Sequence, residues 1–428
     1  MPASKVFVAP EPDTFKLKAL QWANTFDDAC YFDSNKYADP YTAFDTFIAA
    51  GAVRKLSSAG AGSFEKLDRF LYETDTLIPG YLAYDLKNEL EDLSSGNSDH
   101  LGFPDLCFFI PRHTVLIKGT EVEISSSDPL STWHAINRLN VADRSNKPVT
   151  GIQSRFTRSE YVEAVNDIKR HIQRGDIYEI NFCQEFYAEN AEINPLDTFI
   201  RLNKISPTPF SGYMKTGNRF IMSATPERFL SRRGQKLISQ PIKGTSARDP
   251  DKRKDDNQKR NLQTDEKELA ENVMIVDIVR NDLTKSAKPG SVKVEELFGI
   301  YSFTQVHQLI STVTCEKAEG LSNAEIIANT FPMGSMTGAP KVRAMDLAEQ
   351  YERTKRGVYS GAMGYFAPNG DFDFNVVIRT LLYNQENNYL SFQTGSAITL
   401  DSDPEHEYNE CVLKAKAILE VLKQKNPD

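Results

Sequence analysis

The stretch Gln-Pro-Ile-Lys-Gly-Thr-Ser-Ala-Arg, residues 240–248, places Lys243 in an otherwise uncharged run with the composition of a strand. A lysine in such a run either extends its ammonium group to solvent or takes part in chemistry. A free lysine, with a pKa of about 10.4, is neutral in only about 1 of 2,500 molecules at pH 7. A nucleophilic lysine therefore needs desolvation or a neighbouring cation. Because the run contains no carboxylate, the sequence predicts uncharged surroundings for Lys243, which suit a nucleophile but leave both roles open.

Two segments of helical pattern carry carboxylates three residues apart. Glu268 and Glu271 share one helix face, and Glu407 and Glu410 share another together with Lys414. Four carboxylates on two helices could hold a hard divalent cation such as Mg²⁺, which prefers oxygen ligands. Exposed glutamate pairs of this spacing are also common, and Glu410 with Lys414 is an ordinary helix pair. The spacing by itself leaves both interpretations open.

Three single residues and one turn are further candidates. His307 could exchange a proton near neutral pH, and Glu227, after a Thr-Pro break, could act as an acid in a closed cleft. Arg379 lies among apolar neighbours and needs an anionic partner. The Gly/Ser/Thr-rich turn within 331–352 opens into a helix at Pro340 and exposes free backbone N–H groups. Each also has a plain structural interpretation: a core histidine, a turn glutamate, an internal ion pair and a helix cap.

Both helices and strands are predicted to position these residues. Residues 158–175 have apolar side chains at helical spacing and end at Gly175, and the segment around Glu268 predicts an apolar stripe of Leu269, Val273 and Val276. Residues 360–400 predict three strands with turns at Pro-Asn-Gly and Gln-Glu-Asn-Asn, which suit antiparallel pairing. Residues 246–265 have charges of both signs and predict a surface crossing. Without regular strand–helix alternation, the pattern predicts a large α+β body.

Composition limits the class of protein. The chain has 428 residues, 40% hydrophobic and 25% charged, which is typical of a soluble globular protein. A net charge of −9 disfavours nucleic-acid binding. The sequence contains no run of about 18 apolar residues, so no membrane span is predicted. Five scattered cysteines and no signal-peptide pattern predict a reducing, cytoplasmic location. The polar stretch 140–154 predicts a boundary between an N-terminal part, 1–150, and a second part, 151–428.

Taken in chain order, these segments resemble the chorismate-utilising enzymes, which include aminodeoxychorismate, anthranilate, isochorismate and salicylate synthases. The resemblance covers residues 155–424 densely and is carried by GDIYEINFCQEF, SATPERFL, QPIKGTSAR, ENVMIVDIVRNDL, PGSVKVEELF, GSMTGAPKVRAMDLAEQYE, RGVYSGAMGY, VIRTLL and DSDPEHEYNE. It implies an α+β fold in which antiparallel sheets form a sandwich core with helices outside. Residues 1–150 would be the variable part of that body, and residues 151–428 the chorismate-binding catalytic region.

The resemblance also implies a reaction. P-I-K-G-T is typical of the aminodeoxychorismate branch, whereas the anthranilate branch reads P-I-A-G-T. Lys243 would add to C2 of chorismate and displace the 4-hydroxyl by allylic shift, and ammonia would then enter at C4 and expel the lysine. The product, 4-amino-4-deoxychorismate, leads to 4-aminobenzoate and folate. In this family a separate glutamine amidotransferase subunit supplies the ammonia.

Further roles are implied position by position. Glu227 resembles the general acid for the departing hydroxyl, and His307, like Lys414, matches an active-site position near the ring. Mg²⁺, bound to the ring carboxylate of chorismate, would be held by four glutamates: Glu271 and Glu410 directly, Glu268 and Glu407 through water. The remaining positions contact the substrate: Arg379 and Tyr359 grip the enolpyruvyl carboxylate with help from the backbone at Gly395, and Thr337 and Gly338 line the cleft.

Some positions depart from the family pattern. The family's Gly-Gly-Gly-Ile-Val run keeps only Gly395 here, so Ser396 and Ala397 would supply the other amides. The water-adding isochorismate branch carries a base lysine where this chain has Glu179, which counts against water addition at C2. The regulatory Leu-Leu-Glu-Ser motif is replaced by residues 31–35, so inhibition by tryptophan is not predicted.

Two other functions stay open at the level of sequence. Anthranilate synthase component I is disfavoured by Lys243, which stands where that branch has alanine. A non-catalytic chorismate-binding relative is disfavoured because the chain keeps Lys243, Glu227, Glu271 and Glu410 together. A protein that only binds chorismate needs neither an acid nor a nucleophile.

Overall fold

The computed structural model describes residues 3–72, 74–141, 148–304 and 306–423. Eleven α-helices lie within these ranges: α1 Pro12–Ala23, α2 Ser63–Tyr72, α3 Lys87–Leu90, α4 Pro129–Asn137, α5 Arg158–Gln173, α6 Pro195–Ile205, α7 Lys252–Thr264, α8 Glu266–Thr284, α9 Asn323–Thr330, α10 Lys341–Tyr351 and α11 Pro404–Lys423. None of the described helices is long and apolar enough to cross a membrane.

Twenty strands occur in the same ranges: β1 Ala3–Val8, β2 Asp28–Asp33, β3 Thr46–Ser58, β4 Ile78–Leu82, β5 Leu106–Lys118, β6 Glu121–Ser126, β7 Gln153–Ser154, β8 Glu179–Ala188, β9 Phe210–Thr216, β10 Arg219–Thr225, β11 Arg228–Arg233, β12 Lys236–Gln240, β13 Ile242–Ala247, β14 Lys293–Ser302, β15 Val306–Glu316, β16 Gly338–Ala339, β17 Ala362–Phe366, β18 Phe372–Val376, β19 Thr380–Asn384 and β20 Tyr389–Ile398.

The strands follow one continuous antiparallel path, β8–β20–β19–β10–β9–β2–β3–β5–β4–β17–β18–β11–β12–β15. At one end β16 pairs with β8, and at the other β13 and β14 flank β15. The two ends meet in space, because Lys243 of β13 contacts Glu179 of β8. The candidate active site lies where the ends of this folded sheet come together.

Successive side chains of a strand point to opposite faces of the sheet and so belong to different hydrophobic cores. In β2 and β3 one set of side chains faces the interior between the sheet halves, and the next set faces the outer helices. The interior core joins side chains from both halves of the path, among them Cys30, Phe47, Met214, Tyr81, Phe108 and Phe374. Helices α1, α4, α6 and α11 cover the outer core, and α5 and α10 cover a third core against β8. The predicted α+β sandwich with external helices is confirmed.

The two helices that carry the glutamate pairs begin at side-chain caps. Asp265 accepts a hydrogen bond from the backbone N–H of Glu268 at the start of α8, over 3.1 Å. Asp403 accepts one from the N–H of His406 at the start of α11, over 2.8 Å, with Pro404 in the first turn. Asp and Pro are favoured at these positions because the first helical N–H groups lack partners within the helix. The caps set where each glutamate pair starts.

Several local predictions need correction. Of the predicted apolar stripe of α8, Val276 is buried as predicted but Val273 is exposed. The buried face carries Glu271 together with Ile275 and Val279. The predicted single strand around Arg379 is two strands, β18 and β19, joined by a bend at that residue. The surface run 246–265 contains α7, a helix whose one buried side chain is Leu262.

Other predictions from the pattern are confirmed. Helix α5 buries Tyr161, Val165 and Ile168 and is followed by Gly175 in the left-handed region. The turns at Pro-Asn-Gly and Gln-Glu-Asn-Asn connect antiparallel strands. The division into 1–150 and 151–428 stays a prediction, and residues 142–147 of the predicted boundary lie outside the described residues.

Candidate active site

Two adjacent turns of the sheet bring Glu227 and Arg379 together. Glu227 lies at the Thr-Pro break between β10 and β11, and its carbonyl accepts a hydrogen bond from Val376 N–H over 3.0 Å. Arg379 lies in the bend between β18 and β19, with a φ of 51°, and its carbonyl accepts from Ala224 N–H over 3.2 Å. A left-handed φ at a bulky residue is uncommon and indicates that the surrounding structure imposes it. The strand pairing therefore aims both side chains into one cleft.

Glu227 has the environment of an acid. The residue is 4% exposed, and its Oε1 accepts a hydrogen bond from Ser335 Oγ over 2.6 Å. Burial raises the pKa of Glu227 to about 7, against the opposing effects of the Ser335 hydrogen bond and of Lys243 and Arg379. A carboxyl group with this pKa is partly protonated at neutral pH and can donate a proton in a reaction.

Arg379 is a cation with an open binding face. None of the described residues forms a hydrogen bond or an ion pair with its guanidinium group. Burial lowers the pKa of Arg379, and the nearby Glu227 opposes that effect. A buried guanidinium without a carboxylate partner is suited to bind one from a ligand, since its planar donors match carboxylate oxygens.

Lys243 has a carboxylate partner, which contradicts the prediction of uncharged surroundings. Its Nζ donates to Glu179 Oε1 over 3.0 Å, and the side chain of Glu179 is 1% exposed. Burial by itself would lower the pKa of Lys243, but the charges of Glu179, Glu271 and Glu410 raise it above its usual range. The local sequence was misleading because all three carboxylates come from distant segments. In its resting state Lys243 is an ammonium ion.

Helices α8 and α11 place the four predicted glutamates at one side of Lys243. Lys267 joins the helices, with its Nζ 3.8 Å from Glu271 Oε1 and 3.4 Å from Glu407 Oε1. Burial raises the pKa of Glu271 to about 7 and raises that of Glu268, to which the charge of Glu410 adds. Ligand atoms of His406, Glu407 and Glu410 lie within 4.8 Å of one another. The predicted metal ligands are therefore neighbours, although Lys267 lies between two of them.

Gly244 shows how closely α8 approaches the lysine strand. Its φ of +95° is a conformation that favours glycine, and a Cβ there would lie 2.8 Å from Leu309 and 3.2 Å from Glu268 Oε2. Asn272 holds the same approach from the helix side. Its Nδ2 donates to the carbonyl of Lys243 over 3.3 Å, and its Oδ1 accepts from Ser311 over 2.6 Å. These contacts keep the glutamate pair of α8 against β13.

The charges in this cluster do not balance. Three ammonium groups, of Lys243, Lys267 and Lys414, face five carboxylates, of Glu179, Glu268, Glu271, Glu407 and Glu410. With all groups ionised, the cluster carries a surplus of two negative charges. Burial and neighbouring carboxylates raise the pKa values of Glu268 and Glu271, whereas the pKa of Glu410, which burial alone would raise, is lowered by its pairing with Lys414. A divalent cation with oxygen ligands would offset that surplus, so the donor set fits Mg²⁺.

Lys414, Gly395 and Tyr359 are linked by contacts of α11, β20 and Cys183. Lys414 Nζ pairs with Glu410 over 2.6 Å and donates to the carbonyl of Gly395 over 2.9 Å, which fixes α11 to β20. A Cβ at Gly395 would lie 2.6 Å from Cys183 Sγ, so the residue must be glycine for β8 and β20 to approach. Cys183 Sγ also lies 3.8 Å from the hydroxyl of buried Tyr359. These three predicted positions are brought together.

The turn before α10 supplies another part of the cleft. Ser335 lies in a short 3₁₀ turn, and the hydroxyl of Thr337 donates to the carbonyl of Gly334 over 3.2 Å. The Thr337 carbonyl accepts from Asn181 N–H over 2.8 Å, and Gly338 pairs with Ile180 of β8. The side chain of Thr337 is therefore engaged within its own turn, and α10 begins at Lys341 after the predicted Pro340.

The hydrogen-bond partners of His307 lie outside this group. His307 pairs across the sheet with Ser246, three residues beyond Lys243. Its Nε2 is 3.0 Å from Asp255 Oδ1 of α7, and its Nδ1 is 2.8 Å from Ser302 Oγ. Both ring nitrogens therefore have partners, and in this structure the contacts of His307 hold α7 against the sheet. Its predicted catalytic role stays a prediction.

Several residues of the site were not predicted as such, among them Glu179, Ser335 and Asn272. Glu179 was noted only for the lysine it replaces, although a glutamate in an alternating apolar strand signals a buried charge that needs a partner. Ser335 and Asn272 carry no sequence signal of their own. Their importance follows from contacts with Glu227 and Lys243 that only the fold creates.

The sequence pattern of the family described as chorismate binding enzyme matches residues 21–420. The chain is 34% identical over 358 residues to anthranilate synthase component 1 of Thermus thermophilus, covering 81% of this chain and 77% of that protein. It is 32% identical over 360 residues to aminodeoxychorismate synthase component 1 of Bacillus subtilis, covering 80% and 76%.

Among solved structures, anthranilate synthase component I from Streptococcus pneumoniae has a similar fold. It superposes with a TM-score of 0.79 at 24% sequence identity, covering 90% of this chain and 93% of that one. At this identity the similarity establishes the fold alone.

Proposed function

The chain belongs to the family of chorismate-binding enzymes, and from this premise we propose that it aminates chorismate to 4-amino-4-deoxychorismate. Relatives of nearly equal identity carry the names of both aminating branches, so the names do not decide between them. The choice rests on the chemistry of the cleft.

One observation carries the proposal: a lysine side chain lies near a buried carboxyl group whose pKa is raised to about 7. Lys243 of β13 and the buried carboxyl of Glu227 interact electrostatically, and Arg379 lies beside Glu227. Covalent catalysis needs a nucleophile and an acid on the same substrate, and this pair supplies both. An alanine at position 243, as in the anthranilate branch, would supply no nucleophile.

The proposed steps keep atoms and charges in balance. The amine of Lys243 bonds to C2 of chorismate, the two conjugated double bonds of the ring shift towards C4, and the C4–O bond breaks. Glu227 donates its proton to the departing oxygen, which leaves as water. Ammonia then bonds to C4, the C2–N bond to Lys243 breaks, and the new ammonium returns a proton to Glu227. The net reaction is chorismate plus ammonia to aminodeoxychorismate plus water.

Binding of the substrate uses the remaining charges. Arg379, with Tyr359 and the backbone at Gly395, would receive the enolpyruvyl carboxylate, and Thr337, Gly338, Lys414 and His307 would line the ring. Mg²⁺ would be held by Glu271 and Glu410, with Glu268 and Glu407 through water. A bound divalent cation neutralises the carboxylate of a dianionic substrate.

The source of ammonia is the second part of the proposal. "Component 1" in the relatives' names implies a further component. We assign to that partner the release of ammonia from glutamine, and we place the reaction in the cytoplasm. Ammonium salts would replace the partner in an assay of the isolated chain.

The test is identification of the product. Purified chain is incubated with chorismate, Mg²⁺ and an ammonium salt, and products are separated by chromatography and identified by mass. Lys243→Ala is assayed in parallel. Aminodeoxychorismate from the wild type, with loss or diversion of product in the variant, supports the proposal.

Two results contradict it. Anthranilate as the only product of the wild type assigns the chain to the alternative branch and leaves Lys243 without a role as nucleophile. Absence of chorismate turnover under every condition favours a relative that binds chorismate without catalysis.

A further inference from the structure

Glu179 is the residue of the cleft that the proposed reaction has not used. It is the first residue of β8, and its carbonyl lies beside Gly338 of the neighbouring strand. Its Oε1 accepts a hydrogen bond from Lys243 Nζ over 3.0 Å. Its Oε2 is buried and accepts no hydrogen bond from any residue in the described ranges. Buried carboxylate oxygens are normally paired, so this one has unused capacity to accept a proton.

Besides Glu179, the carboxylates around Lys243 come from three elements. Glu268 and Glu271 belong to α8, Glu410 to α11, and Glu227 to the β10–β11 turn. Among the described contacts, Glu179 is the carboxylate whose oxygen lies within hydrogen-bond distance of Lys243 Nζ. A proton leaving Lys243 therefore has a direct path to Glu179.

We propose that Glu179 is the general base that takes a proton from Lys243 and so generates the neutral amine that attacks the substrate. This inference rests on the proposed function. An ammonium group has no lone pair and cannot form the bond to C2, so the proton must leave before the attack. The acceptor must be within hydrogen-bond reach of that proton, as Glu179 is.

The transfer balances over one turnover. Lys243 ammonium and Glu179 carboxylate become a neutral amine and a carboxylic acid, and the amine bonds to C2. When the C2–N bond breaks, Lys243 leaves as a neutral amine and Glu179 returns the proton. Glu227 separately gives its proton to the leaving hydroxyl and regains one from the incoming ammonia. Glu179 thus exchanges a proton with Lys243 alone, and Glu227 exchanges one with the leaving oxygen and the incoming nitrogen.

The transfer has a measurable pH signature. In the wild type the proton moves within the pair, so the charge of the pair does not change and this step is independent of pH. In Glu179→Gln the proton must leave to solvent, and the fraction of neutral Lys243 rises about tenfold per pH unit below its pKa. The ratio of wild-type to variant kcat/KM should therefore fall about tenfold per pH unit. At pH 6 we expect a loss of at least about a hundredfold.

Glu185→Gln is the matched control. Glu185 lies on the same strand, is 2% exposed, and pairs with Arg155 over 2.7 Å. Its loss should leave the ratio to the wild type constant with pH. A constant ratio for Glu179→Gln as well, at any level of activity, would overturn the proposal by reducing Glu179 to a structural partner.

A conservative variant covers the case in which Glu179→Gln does not fold. Glu179→Asp keeps a proton acceptor, so its ratio to the wild type should not depend on pH even if activity is reduced. A tenfold fall of that ratio per pH unit would contradict the assignment, because the acceptor is still present.

A measurement without substrate separates this inference from the proposed function. Acetylation of Lys243 by acetic anhydride is followed against pH by mass spectrometry in the wild type and in Glu179→Gln. If Glu179 is the partner of the Lys243 ammonium group, its loss lowers the pKa of Lys243 in Glu179→Gln. An unchanged pKa of Lys243 overturns the inference. A wild type that forms no aminodeoxychorismate refutes the proposed function instead, whatever the labelling shows.

Discussion

Replacing Glu227 by glutamine should make the protein more stable at alkaline pH while removing its activity. The pKa of Glu227 is raised by burial from 4.5 to about 7. A carboxyl group with a raised pKa binds its proton more tightly in the folded state than in the unfolded chain. Stability from this group is therefore fully present below pH 4.5 and is lost as the pH rises to about 7.

The magnitude follows from the size of the shift. A change from 4.5 to about 7 corresponds to about 3 kcal/mol of folding free energy above pH 7. Glutamine has the same shape, carries no charge, and its amide oxygen can still accept from Ser335. The free energy of unfolding of the variant minus that of the wild type should thus be about 3 kcal/mol larger at pH 8 than at pH 4.

Thermal unfolding at pH 4.5 and pH 8 measures this gain as a change in Tm. We expect Glu227→Gln to melt several degrees above the wild type at pH 8 and close to it at pH 4.5. Glu185→Gln, which breaks a buried ion pair with Arg155, should melt lower at both pH values. Equal or lower Tm for Glu227→Gln at pH 8 would refute the raised pKa and with it the role of Glu227 as the acid.

Two further predictions concern the same cleft. Ser335→Ala removes a hydrogen bond that favours the charged form of Glu227, so the alkaline limb of the kcat/KM profile should move upward by about one pH unit. The control is Ser231→Ala, which should leave that limb in place because Ser231 is a buried serine that donates to a backbone carbonyl. An unmoved limb in Ser335→Ala would show that Glu227 does not set it. Glu271→Gln should raise the Mg²⁺ concentration for half-maximal stabilisation in thermal melts by at least about tenfold, whereas Glu405→Gln, an exposed glutamate of α11, should not change it. Equal Mg²⁺ dependence of the wild type and Glu271→Gln would exclude Glu271 as a ligand.

Much of the fold could be predicted because its signals are local. Helix α5 follows from apolar spacing and a terminal glycine, and the β17–β18 hairpin follows from Pro-Asn-Gly. The bend at Arg379 was missed because an apolar run reads as one strand whether or not it turns. Helix α7 was missed because it has one buried residue, so no apolar period marks it.

The sequence by itself determined which groups are available and how they are spaced. Glu268 and Glu271, or Glu407 and Glu410, share a helix face because three residues make nearly one turn. The run around Lys243 left two roles open, a lysine that extends to solvent and a reactive one, and the family resemblance favoured the second. These features depend on neighbours within a few residues.

Only the tertiary structure decided the charge states. Lys243 meets Glu179 across 64 residues of sequence, and Ser335 meets Glu227 across 108. Electrostatic interactions and desolvation act through space, so a pKa depends on groups that the local sequence does not contain. The prediction of an isolated lysine failed for this reason: folding places the two ends of the sheet together and gives Lys243 its carboxylate.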